Sequence, residues 1–140
     1  MHEPDELSWL EVTPTGNCYP CLIVRHPRSG TLNGYIALSS KHPWSGESYD
    51  DIPIETHGGL TYGDFWTPGF GRDGSALPTD VIFWIGFDCN HAFDYAPAYN
   101  IHATNVLDGI YCDLNYVKDM VLSMVRQAEL ASTTKRLTVL

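Results

Sequence analysis

Residues 88–91 place Asp88, Cys89 and His91 within one short stretch. Carboxylate, thiolate and imidazole are the groups with which proteins hold divalent transition metals, and thiolate with imidazole suits borderline-soft Zn2+. In an extended chain successive side chains alternate, so Cys89 and His91 project to one side as a Cys-x-His chelate while Asp88 projects to the other. Asp88 then orients a histidine ligand from behind, or joins the site if the chain turns. His57, followed by Gly58 and Gly59, is the distant third ligand this reading selects. The candidate metal ligands are therefore His57, Asp88, Cys89 and His91, and a tetrahedral site can be completed by Asp88, Asp94, Cys21 or water. The spacing matches no strong zinc signature. The competing reading is a core thiol with two interior, hydrogen-bonded histidines.

Other chemistry is less well supported. Cys18 and Cys21 form a C-x-x-C, but it stands at the head of an apolar strand pattern with Pro20 inside it. A redox dithiol opens a helix instead, so these residues read as core or turn. The chain has no H-E-x-x-H, G-x-S-x-G, P-loop or dinucleotide fingerprint, and no residue is assigned a catalytic role. A hydrolytic alternative keeps Cys89 as nucleophile, or a metal-bound water acting on a nucleotide or phosphoester.

Charge adds a second signal. Eight Lys and Arg against 17 Asp and Glu give a net charge of −9. The excess is concentrated in the middle of the chain, at Glu47, Asp50, Asp51, Glu55, Asp64, Asp73, Asp80, Asp88, Asp94, Asp108 and Asp113, with Arg72 the lone base between His42 and Asp113. Such a field repels nucleic acid directly and favours basic partners, including the basic surfaces of nucleic-acid-handling proteins. It equally suits a solvated surface with no partner. No apolar run is long enough to span a membrane, and the acidic N-terminus does not resemble a secretory signal. A cytosolic location with reduced cysteines is the expectation.

These groups must be positioned by a small set of elements. Residues 8–12, 19–25 and 34–38 read as strands, the last two as a hairpin across the turn at 26–30. Residues 39–53, rich in Ser, Gly, Pro and acids but carrying Trp44 and Tyr49, read as an ordered loop. Residues 54–57 alternate like a strand, with Gly58 and Gly59 as a bulge before 60–62. Residues 65–79 read as a long loop, and 81–87 as a central strand, apolar on both faces. Residues 91–109 have no definite pattern. Leu114, Val117, Val121, Met124 and Ala128 fall at helical spacing behind an N-cap at Asp113, predicting a helix of about twenty residues. The expected fold class is α+β: one domain over 1–140, a small antiparallel or mixed sheet with one long C-terminal helix packed on it. Residues 1–7 and 132–140 are expected to fray, or 137–140 to add a short strand.

Residues 56–62 (THGGLTY) and 84–91 (WIGFDCNH) resemble the hallmark stretches of a family of small proteins encoded by bacteriophages and prophages. Residues 34–36 (GYI), 42–44 (HPW), 49–51 (YDD) and 113–117 (DLNYV) are similar to it too, so the resemblance covers about 21–127. It implies a phage-borne accessory protein in the cytoplasm of the bacterial host. It extends to a zinc-containing type II-A anti-CRISPR inhibitor, which implies a CRISPR effector nuclease, met through a basic surface, as the protein partner. It also centres the metal on His57, Asp88, Cys89 and His91. Asn33 stands where the family has a cysteine, so that position offers no thiolate here.

Overall fold

The structure, a computed structural model, describes residues 6–68, 82–89 and 112–139, with side chains in the last segment described as far as residue 134. Strand β1 (Glu6–Val12) alternates strictly between exposed and half-buried side chains, the pattern of a strand with one face on a core. A turn closed by Thr13 N–H to Asn17 O (2.9 Å) leads into β2 (Cys18–Arg25). A second turn returns the chain along β3 (Leu32–Leu38); within it His26 Nδ1 accepts from the N–H groups of Arg28 and Ser29 at 3.1 and 3.2 Å. Strands β4 (Tyr62–Asp64) and β5 (Phe83–Phe87) complete a sheet of order β1-β2-β3-β5-β4. Among the described residues every pairing is antiparallel, the first of the two expected sheet types. Strand β5 lies between β3 and β4 and is buried at every position, as its apolar run requires.

Helix α1 (Leu114–Val139) packs on β3 and β2. Asp113 is its N-cap: Oδ1 accepts from Tyr116 N–H at 2.8 Å, satisfying one of the donors that a helix start leaves open. Val117, Val121, Met124, Val125 and Ala128 form the buried stripe. Burying each of the larger ones contributes about 1.5–3 kcal/mol, far more than helix propensity alone supplies. The helix is longer than the expected twenty residues: 132–139 continue it, so 137–139 are helical and not strand. Strand β1 likewise begins inside the 1–7 segment expected to fray.

The sheet's two faces hold two cores. On the helix side Cys21, Ile23, Ile36, Leu38, Phe83, Ile85, Phe87 and Cys89 meet the α1 stripe. On the other side Leu22, Ala37 and Trp84 are joined by Val24, Tyr35, Tyr62 and Ile82.

One expected strand is absent. Residues 54–57 do not pair with the sheet but run along α1 in the opposite direction. Glu55 N–H donates to Gln127 Oε1 (2.8 Å) and Gln127 Nε2 donates to Glu55 O (2.7 Å), so a side-chain amide takes the place of a neighbouring strand. Thr56 Oγ1 then meets Met120 Sδ at 3.7 Å, and His57 meets Tyr116, successive contacts nearer the helix start. The two glycines are a turn, not a bulge. Gly59 N–H donates to Thr56 O (3.1 Å), and Gly58 has a φ of 66°, the left-handed conformation that a type II turn demands at its third residue. Residues 39–53 are ordered as expected: His42 Nδ1 accepts from Trp44 N–H (3.0 Å), so its Nε2–H donates to Ala128 O (2.8 Å). Residues 69–81 of the expected long loop and strand, and residues 91–109, lie outside the described residues.

Candidate metal centre

Three donor atoms converge where the 56–59 turn, the end of β5 and the start of α1 meet. One each from His57, Cys89 and Cys112, they all lie within 4.8 Å of one another. Cys89 arrives by strand alternation: Phe83, Ile85 and Phe87 face the helix-side core, and two residues past Phe87 the thiol continues that row, 1% exposed. Cys112 arrives by helix capping. It directly precedes the N-cap Asp113, and with Val117 it occupies the two positions that a hydrophobic staple joins; both are buried in the same core, at 2% and 0% exposure. His57 arrives through the loop laid along α1, half-buried.

The separations suit a shared ion. Cys112 Sγ lies 3.6 Å from His57 Nε2. Zn–S and Zn–N bonds of about 2.3 and 2.0–2.1 Å at a tetrahedral angle place sulfur and nitrogen about 3.5 Å apart. The charges suit one as well: two thiolates balance a divalent cation, so the filled centre is neutral and tolerates burial. His57 is also held from behind. Its Nδ1 is 2.8 Å from the Tyr116 hydroxyl, and the rings meet edge to face at 5.4 Å and 86°.

Of the four ligands expected from sequence, the structure brings His57 and Cys89 together. Asp88 is not in the group, because the alternation that turns Cys89 toward the helix turns Asp88 to the opposite face. There it neighbours Tyr35, whose phenol is pushed up chiefly by burial, against a hydrogen bond from Asn33 and with the Asp88 charge adding to the rise. His91 and the alternative ligand Asp94 lie outside the described residues. Cys21, the other alternative, is buried in the same core but apart from the group. Desolvation, helped by the Glu11 charge, pushes its thiol up to about 12, so it stays protonated. Cys18 is exposed on the sheet's other face, which ends the C-x-x-C as a chelate. The spacing of Cys112 from Cys89 is no chelate spacing, and the signal in the sequence that marks it is its place immediately before the N-cap Asp113.

No protein-family model, curated protein or solved structure matches the chain. Among the described residues no helix is long and apolar enough to cross a membrane.

Proposed function

We propose that this chain is a zinc-stabilised, non-enzymatic binding protein, a phage-borne inhibitor that engages a basic nucleic-acid-handling surface of a type II CRISPR effector nuclease. The observation that carries the metal half is the convergence of His57, Cys89 and Cys112. A Zn2+ ion there ties the 56–59 turn, β5 and α1 into one unit, a structural role for which two buried thiolates and an imidazole are suited. His91, two residues past Cys89, is the proposed fourth ligand on the Cys-x-His spacing.

The binding half rests on charge and on the family resemblance. Glu47, Asp50, Asp51, Glu55 and Asp64 are all exposed, and residues 42–68 contain neither Lys nor Arg. Tyr49 and Phe65, 38% and 45% exposed, stand among these acids and offer faces on which arginine stacks. A partner with a basic surface gains association rate and register from such a field.

Two measurements test the reading. Elemental analysis of the purified chain is expected to give one zinc per chain, lost in Cys89→Ser and Cys112→Ser. Target cleavage by a panel of type II effectors is expected to fall with added chain for at least one of them. Zinc-free protein that folds normally removes the first half, and undiminished cleavage at large excess removes the second.

A further inference from the structure

Residues 112–116 carry three linked groups: the Cys112 thiol, the Asp113 carboxylate that caps the Tyr116 N–H at 2.8 Å, and the Tyr116 hydroxyl 2.8 Å from His57 Nδ1. The start of α1, from the residue before its N-cap to its first turn, therefore supplies a ligand and the group that aims another ligand. We infer that Tyr116 is the positioning residue of the metal centre: its hydroxyl oxygen accepts from His57 Nδ1–H and so holds the ring with the Nε2 lone pair facing Cys112 and Cys89. This inference rests on reading His57, Cys89 and Cys112 as a zinc site.

The chemistry of imidazole makes the link. A neutral ring carries one N–H, and a ring that ligates through Nε2 must carry it on Nδ1, where it needs an acceptor. The ordinary acceptors are a carboxylate, a carbonyl or a water, and such partners tune metal affinity by about 10–100-fold. Here a phenol oxygen stands at that place. The turn closed by Gly59 N–H to Thr56 O brings His57 to the helix start. The ring is met from the side by the edge-to-face contact with Tyr116. Tyr116 itself is 39% exposed, so burial gives only part of a reason for an aromatic there. Its backbone is held by the Asp113 cap, which couples the aim of His57 to the formation of the helix start.

The test uses the full chain loaded with zinc. Tyr116→Phe keeps the ring and removes only the oxygen. Competition against a chromophoric chelator is expected to show zinc affinity about 10–100-fold below that of the wild type, with far-ultraviolet circular dichroism unchanged. In the wild type, long-range proton–nitrogen correlation spectra of the histidine rings are expected to place the His57 hydrogen on Nδ1. A nuclear Overhauser contact between that Nδ1 hydrogen and the Tyr116 ring needs no variant and decides the matter if Tyr116→Phe does not fold. Equal zinc affinity in wild type and Tyr116→Phe, or a His57 Nδ1 hydrogen with no contact to the Tyr116 ring, overturns the role of Tyr116 and leaves the site standing. A wild-type chain that binds no zinc, or that carries the His57 hydrogen on Nε2, overturns both.

Discussion

Gly34 on β3 lies against Val121 on α1 so closely that a Cβ at Gly34 would stand 2.7 Å from Val121 Cγ2, and 2.7 Å from a ring carbon of Phe87. The missing side chain is what lets the helix settle on the sheet beside β5. Gly34→Ala is expected to push α1 outward and cost about 1–3 kcal/mol, the range for overpacking a filled core. Urea denaturation would read this directly. A variant as stable as the wild type would show that the helix can shift without loss.

Metal removal is expected to loosen the same corner of the molecule. At free zinc about 100 times the dissociation constant, binding to the native state alone contributes about 2.7 kcal/mol. For a chain of this size that lowers the melting temperature by on the order of 10 °C when a chelator is added. Cys112→Ser is expected to abolish the chelator effect and Asp88→Asn to leave it intact, since Asp88 faces away from the group. An Asp88→Asn chain with no chelator effect would return Asp88 to the site.

Acid is expected to weaken the contact between α1 and the β1–β2 turn. Glu129 accepts from Thr13 Oγ1 (2.9 Å), Asn17 Nδ2 (2.8 Å) and Tyr19 Oη (3.0 Å), and from Thr15 Oγ1. Desolvation pushes its carboxyl up, but the hydrogen bonds from Thr15, Asn17, Thr13 and Tyr19 outweigh it and hold the group at about 2, against 4.5 for a free side chain. Because the folded value is depressed, the contribution is fully present above 4.5 and is lost as the pH falls from there toward about 2. Melting temperatures of wild type and Glu129→Gln between these limits should converge as the pH drops. Parallel curves would remove Glu129 as the cause.

Charge reversal tests the acidic surface. Asp50→Lys with Asp51→Lys is expected to slow association with a basic partner several-fold at low salt while leaving zinc content and melting behaviour near those of the wild type. Both residues are exposed on a 3-10 turn, Tyr49–Asp51, away from the core. Unchanged inhibition by this variant would place the contact elsewhere on the chain.

The sequence by itself determined the elements whose burial repeats along the chain. Apolar segments set off by the turns at 13–17 and 26–30 marked β1, β2 and β3, the apolar run marked β5 as an interior strand, and the 3.6-residue stripe behind Asp113 marked α1. It also picked out His57 and Cys89, because residue type and a strand end are local properties. Tertiary structure decided what local pattern could not. Residues 54–57 alternate like a strand, yet Gln127 satisfies the backbone of Glu55, more than seventy positions away in sequence, and the segment follows the helix instead. The same folding makes Cys112 a partner of His57 and Cys89, although no motif spacing joins them. A ligand set is a set of distances, and these distances exist only once the helix start, the turn and the strand end have packed on one core.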